Sequence, residues 1–342
     1  MPEVSVLILN WNGRSWLEQF LPSVMATTYA PVKIIVADNG STDGSVGWLG
    51  AHYPEVEVVV LDKNYGFTGG NNRAVSTISS PYVVLLNSDV EVTPGWLEPL
   101  VNMAETDPSI AAIQPKVLAY HQKNHFEYAG AAGGFLDALA YPFCRGRMFD
   151  TLEEDEGQYE APMEVAWATG ACCLIRKSVL DEIGLFEEEF FAHMEEIDFC
   201  WRARNHGYRI MCEPASVVYH VGGGTLPQGN PRKTFLNVHN SLVMMYKNLP
   251  DDQLFPKIFQ RLVLDGIWAV KAITSGDFTV IVAVFKAHWR FFLRTGYWRK
   301  RRKETYPSGV SGFPKGKGFF AESIVWAYFA KGKRRFSELD IS

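Results

Sequence analysis

The chain has 342 residues, 47% of them hydrophobic, and a formal net charge of −5. That is enough apolar material for a large core, and the charge bias is too small for a disordered chain. The charge is unevenly spread: between Lys286 and Arg335 fourteen Lys and Arg face only Glu304 and Glu322, a formal +12. This basic stretch carries no nucleic-acid recognition motif, and the acidic remainder would repel a phosphate backbone, so nucleic acid is excluded as a partner.

Three apolar runs open the chain, and each ends on polar residues. Val4 to Leu9 runs into Asn10-Trp11-Asn12-Gly13, and helical spacing follows from Ser15 to Ala26. Val32 to Ala37 runs into Asp38-Asn39-Gly40-Ser41-Thr42-Asp43-Gly44, followed by a short helix and a strand over Val56 to Leu61. Val83 to Leu86 ends in Asn87-Ser88-Asp89. Strands buried on both faces read as unbroken apolar runs, and their alternation with helices predicts right-handed βαβ units in a mainly parallel, Rossmann-like sheet. Asn10, Asp38 and Asp89 then share the rim where such sheets bind ligands. Asp89 can serve a hard cation there, or merely cap a turn. The same choice is open for Asp43, which can cap the helix near Ser45.

Between the second and third of these runs, Asn64-Tyr65-Gly66-Phe67 with Gly69-Gly70-Asn71-Asn72 predicts a loop whose backbone approaches a ligand. Tyr120 to Glu164 lacks periodicity and carries Glu153-Glu154-Asp155-Glu156, so it reads as an insertion near the active face with a solvated acidic loop. Small residues around Gly170, in Trp167 to Arg176, allow either close approach of a ligand or tight strand packing. Phe190 to Asp198 carries the acids Glu195, Glu196 and Asp198, and a helix follows with Arg202 and Arg204, one of which can face an anionic ligand by bidentate donation or else form a surface ion pair. His220 ends the strand Ser216 to Tyr219 and precedes Val221-Gly222-Gly223-Gly224. The chain divides near Pro250, giving an α/β part (1–250) and a helical, basic and aromatic part (251–342) with breaks at Ser275-Gly276-Asp277 and Pro307-Ser308-Gly309. Cys144, Cys172, Cys173, Cys200 and Cys212 show no paired metal spacing and read as core thiols in a reducing, cytoplasmic compartment. Entry into the first strand by Val4, with no basic and apolar leader pattern, argues against secretion, and the apolar run Phe278 to Phe285 is too short to span a bilayer.

Taken together and in this order, Asn10 to Gly13, Asp38 to Gly44, Asn64 to Asn72, Asn87 to Asp89 and Glu195 to Asp198 make the chain resemble the family 2 glycosyltransferases of the GT-A fold, especially the bacterial rhamnosyltransferase-like branch. The resemblance implies an inverting glycosyltransferase, moving a sugar from a nucleotide-diphosphate donor to a glycan or lipid-linked acceptor in cell-surface polysaccharide synthesis. It implies Asp38 at the nucleobase of a deoxythymidine- or uridine-diphosphate sugar, with Asn10, Asn12, Asn71, Asn72 and Ser88 along the donor. It gives Asp89, with His220, to Mg²⁺ or Mn²⁺. This chain has Asn87 where many relatives have a first acid, which leaves one anion fewer. Glu196 takes the position of the family's catalytic base and Glu195 supports it, with Gly170 and Asp198 on the acceptor side; Glu195 or Asp198 could exchange roles with Glu196. A sugar nucleotidyltransferase is the rival enzyme, but the glycine- and lysine-rich phosphate loop it needs after the first strand is missing. A non-catalytic carbohydrate-binding protein would have no use for so many strand-end acids. The basic, aromatic tail predicts peripheral attachment to an anionic membrane surface at the inner face of the cytoplasmic membrane, or else a solvated helical surface.

Overall fold

The computed structural model describes residues 1–222, 230–274, 276–310 and 317–341. Gly223, Gly224 and Ser275 lie outside the described residues. The three apolar runs form β1 (Val4–Asn10), β2 (Val32–Asp38) and, after β3 (Glu57–Val60), β4 (Tyr82–Asn87). The connecting helices are α1 (Arg14–Met25), α2 (Ser45–His52) and α3 (Gly66–Val75). These four strands pair in parallel in the order β3-β2-β1-β4. Asn10 is in register with Asp38, and Leu9 with Asn87, so the three polar strand ends do share one rim.

Beyond β4 the sheet departs from a purely parallel pattern. β5 (Val90–Val92), α4 (Leu97–Thr106), β6 (Ile110–Ala119) and β7 (Gln122–Phe126) come next. The segment expected as an acidic insertion folds into a small antiparallel sheet of β8 (Gly134–Leu136), β9 (Pro142–Cys144), β10 (Arg147–Met148) and β11 (Thr151–Leu152). Phe135 and Phe143 are buried there; of the acidic run, Glu153 is buried and accepts from Tyr159 and Asp155 pairs with Lys116, while Glu154 and Glu156 are exposed as expected. The main sheet is completed by β12 (Met163–Glu164), β13 (Cys172–Arg176) and β14 (Arg209–His220), and β13 runs antiparallel between β4 and β6. α5 (Lys177–Ile183) and α6 (Glu195–Asn205) lie between β13 and β14.

The helical part begins before Pro250, at α7 (Pro231–Asn248), and continues through α8 (Asp251–Thr274), α9 (Phe278–Leu293), α10 (Thr295–Thr305) and α11 (Ile324–Phe329). It is no free appendage. One apolar cluster joins Leu85 of the sheet, Phe143 of β9, Leu242 of α7, Phe291 of α9 and Phe336 of the tail. The tail also pairs with β8, since Leu136 N donates to Gly318 O (3.1 Å) and Phe320 N to Leu136 O (2.8 Å). The other face of the sheet is covered by α1 and α4 through Leu17, Leu21, Leu97 and Leu100. All five cysteines are buried and unpaired. Among the described residues no helix is long and apolar enough to cross a membrane.

Candidate active site

The first two strand ends are knit together before any ligand arrives. Asn10 Nδ2 donates to Asp38 Oδ2 (3.1 Å) and to Ser41 Oγ (3.3 Å), while Ser41 N donates to Asp38 Oδ1 (2.9 Å). Asn12, held at φ 49°, receives the Thr42 N–H on its Oδ1 (2.8 Å), and its own N–H donates to Ser41 Oγ (2.9 Å). Asp43 accepts from Arg14 N (2.8 Å) as well as Ser45 N (3.1 Å), so it ties the two loops together besides capping. Asn10 Oδ1 is buried without a hydrogen-bond partner among the described residues. A Cβ at Gly13 would stand 2.6 Å from that oxygen and 3.6 Å from Ser88 Oγ, so Asn10, Gly13 and Ser88 converge at one place.

The glycine-asparagine segment is not a loop; it is helix α3. Its glycines serve contacts inside the protein. Gly66 has φ +75°, and a Cβ on it would reach the Phe191 ring at 2.5 Å; one on Gly70 would stand 2.7 Å from Leu9. Asn71 Nδ2 donates back to Phe67 O (2.9 Å). Asn72 donates to Phe186 O (2.9 Å) and accepts from Phe186 N (3.0 Å). Asn39, which sequence reasoning did not single out, donates to Gly66 O (3.0 Å) and accepts from Tyr65 N (3.0 Å). The segment therefore braces the donor rim against Phe186 to Phe191, and both asparagine amides are engaged internally.

At the third strand end Asp89 is buried, and its Oδ1 lies 3.2 Å from His220 Nε2. β5 and β14 bring the two together, with His220 in register with Val90. The other imidazole nitrogen, Nδ1, lies 3.3 Å from Glu127 Oε2. Burial opposes the charged imidazole, but the two flanking carboxylates hold its pKa up to about 10. Burial likewise opposes the Asp89 carboxylate, yet His220 brings its pKa below the usual range. Glu127 was missed because nothing in its local sequence marks it; only the fold sets it behind His220. Gly222, at φ +72°, makes room for it, since a Cβ there would meet Glu127 Oε1 at 2.6 Å.

Among the described residues no three His, Cys, Asp or Glu side chains form a cation site. Asp89 and His220 still fit a shared one. A cation held there would displace the proton that His220 Nε2 shares with Asp89 Oδ1 across 3.2 Å, since a histidine ligand must be the neutral imidazole. The other positions would fall to diphosphate oxygens and water.

Glu195 and Glu196 lie one strand away. Asn87 N donates to Ala171 O (2.9 Å), which sets Gly170 beside the Ser88-Asp89 turn, and a Cβ on Gly170 would be 3.8 Å from Glu196 Cβ. Glu195 and Glu196 begin α6, where the helix dipole favours carboxylate. Burial outweighs it and raises both pKa values, Glu195 further because of the neighbouring Glu196. One oxygen of each, Oε2, is buried without a hydrogen-bond partner among the described residues. The Glu196 side chain borders an apolar crevice with Cys173, Phe186, Phe199 and Cys200.

The approach to α6 is strained: Phe191, His193 and Met194 have φ of 63°, 71° and 71°, conformations that cost non-glycine residues about 1–3 kcal/mol each. Asn240 of α7, wholly buried, holds that turn by donating to Phe190 O (3.1 Å), Ala192 O (3.0 Å) and His193 O (2.9 Å). Burial pulls the His193 pKa down to about 4.

Three expectations are corrected here. Asp198 does not face the acceptor: it is fully buried, bonded to Lys247 Nζ (2.9 Å), Arg202 Nε (3.0 Å) and Asn248 Nδ2 (2.8 Å), which hold its pKa low against burial. Arg202 is spent on Asp198 and the Ile183 and Gly184 carbonyls. Arg204 is spent on Glu164, Val165 O and Lys317 O, so neither arginine is presented to a diphosphate. An interior helix face collected these charges because each could be paired, which is what burial of a charge requires.

A mainly parallel sheet with carboxylates at its strand ends, and across from them buried Glu195 beside half-buried Glu196, defines a transferase of the GT-A fold. The Glycosyl transferase family 2 profile matches residues 5–184, and the chain belongs to that family. It is 27% identical over 232 residues to the N-acetylglucosaminyl-diphospho-decaprenol L-rhamnosyltransferase of Mycobacterium tuberculosis, covering 63% of this chain and 75% of that one. Among solved structures, GalNAc-T7 with UDP, GalNAc and Mn²⁺ superposes with a TM-score of 0.57 at 17% identity, over 73% of this chain and 48% of that one. The Pyrobaculum calidifontis mannosyltransferase with GDP-Man and Mn²⁺ gives 0.51 at 14%, over 85% and 87%. Both likenesses show the fold.

Proposed function

We propose that the protein is an inverting, divalent-metal-dependent glycosyltransferase that uses a pyrimidine nucleotide-diphosphate sugar. An acceptor hydroxyl loses its proton to Glu196 while its oxygen bonds to the anomeric carbon. The bond from that carbon to the diphosphate oxygen breaks on the opposite face, releasing the nucleoside diphosphate. Glu195 supports the acceptor side, next to the opening at Gly170. The observation that carries this reading is the pair of carboxylates at the start of α6, each with one oxygen buried and unbonded among the described residues, one strand from Asp89. Burial that raises a carboxylate pKa makes it a better proton acceptor.

Asp38, an acceptor-only carboxylate at the end of β2, suits the imide N–H of uracil or thymine. Asn10, Asn12 and Ser88 line the same rim, while Asn71 and Asn72 shape it from α3. Asp89 and His220 would hold Mg²⁺ or Mn²⁺, which when bound supplies positive charge to the leaving diphosphate. Both solved neighbours carry Mn²⁺. We place the acceptor among lipid-linked or polymeric glycans of the cell surface, in keeping with the rhamnosyltransferase relative, and the protein at the inner face of the cytoplasmic membrane.

Thermal shift against a panel of nucleotide sugars, with and without Mn²⁺, tests the donor. A pyrimidine donor should raise the melting temperature more with Mn²⁺ than without, by mass action. The reading fails if no nucleotide sugar moves it.

A further inference from the structure

α8 and α9 are apolar on two opposite faces. The inner faces are buried, through Ile258 and Ala269 on α8 and Ala287 and Phe291 on α9. On the outer face of α8, Phe255, Phe259, Val263, Ile267 and Val270 recur every three or four residues, and all are exposed. Phe278, Val282, Phe285, Trp289 and Phe292 do the same along α9. A helix that faces water carries polar residues on that side; an outer face of this composition suits an apolar medium.

The hairpin is fixed in place. Asp265 on α8 takes Arg261 at 3.2 Å and His288 of α9 at 3.4 Å. At the far end of α9 Arg294 binds Glu189 (Nη2 to Oε1, 3.2 Å), in the segment that leads to Glu195 and Glu196. The exposed face is thus anchored beside the acceptor side of the cleft.

We propose that the outer face of the α8–α9 hairpin lies in the interface of an anionic bilayer, with its apolar side chains among the acyl chains and its cations at the headgroups. The charge pattern favours lipid over a second copy of the chain. Lys271, Lys286 and Arg290 are exposed along the hairpin, and no acid occurs between Phe278 and Arg294. Two such faces would bring like charges together, whereas anionic lipid complements them. Trp268 and Trp289, both exposed, are of the type that settles at headgroup level. The patch continues onto α11, where Phe329 is exposed and its ring lies 5.5 Å from Lys271 Nζ. Since none of the described helices can cross a membrane, the hairpin lies in the plane of the surface. This deepens the membrane-side reading of the acceptor given above. It moves the anchor from the basic, aromatic tail as a whole to the apolar outer face of one hairpin.

Flotation of the full chain with vesicles of phosphatidylcholine, alone or mixed equally with phosphatidylglycerol, is the test. The protein should float with the mixed vesicles and less with the neutral ones. F259S/I267S/F285S/W289S should lower the vesicle partition coefficient about tenfold or more, as expected when buried apolar area is removed. Its melting temperature and its turnover of donor with a soluble acceptor should stay unchanged. R299E/K300E, on the exposed face of α10, should keep partitioning within about twofold, since charge acts only near the surface. If the fourfold variant fails to fold, F285S and W289S singly should each lower partitioning. Flotation of the apolar variants equal to the parent overturns the proposal, as does a dimer that these changes dissolve while vesicles bind neither protein. If the parent floats and the fourfold variant does not, while neither turns over any nucleotide sugar, the transferase reading is overturned and this one stands.

Discussion

The donor rim and the acceptor turn are built on opposite principles. At the rim, Asn10, Asn12, Asp38 and Ser41 bond one another over short spans between neighbouring strand ends. At the turn, three residues sit at positive φ, two buried carboxylates keep unbonded oxygens, and the restraint comes from Asn240, far along the chain. A bonded rim is ready for ligand at little reorganisation cost. The turn stores unfavourable polarity where the proposed proton transfer occurs, so removing that polarity should trade activity for stability.

Glu196→Gln tests this trade most severely. Transfer should fall by about 10²–10⁴-fold, the usual contribution of a general base, while donor binding persists. The folded protein prefers the protonated carboxyl, because its folded pKa is raised. That stability is present at low pH and lost as pH rises through the folded pKa, so Gln should raise the melting temperature at alkaline pH. A crippled Glu195→Gln beside an active Glu196→Gln would reverse the assignment within the pair. The acid limb of kcat/KM against pH should also lie above the ordinary glutamate value of about 4.3.

Asp89→Asn should come next, with most metal-dependent turnover lost and the fold kept, as followed by metal titration of activity and by circular dichroism. Unchanged metal affinity would move the cation elsewhere. A smaller effect is expected of Glu127→Gln, since outer carboxylates on a metal-binding histidine contribute about 10–100-fold in affinity. Mn²⁺ binding measured by calorimetry checks it. The mildest change is Asn240→Ala. Each lost hydrogen bond is worth about 0.5–1.5 kcal/mol, so a melting temperature lowered by several degrees should accompany a fall in kcat that exceeds any change in KM for donor. An unaltered kcat would mean that the strained turn does not position the glutamates.

The same contrast explains what could be read from the sequence. Strand ends were legible because a fully apolar run stopped by Asn or Asp is a local signal, and the placement of Asn10 and Asp38 along one rim followed from the βαβ pattern. The roles proposed for Glu195, Glu196 and Gly170 came only through the family resemblance. Glu127, Asn240 and the internal use of Asn72 were not legible, because their partners lie far off in the chain and long-range packing decides them. α3 was misread for a related reason: glycines lower helix propensity, but close contact with Leu9 and Phe191 requires them. β8 to β11 escaped notice because such short strands carry almost no periodicity.

Analysis of the products from a pyrimidine nucleotide sugar, Mn²⁺ and a lipid-linked glycan acceptor tests the central claim most directly. The account predicts one nucleoside diphosphate released per sugar transferred and an anomeric configuration inverted by NMR, both lost in Glu196→Gln. Pyrophosphate release, retained configuration, or binding without turnover would contradict it.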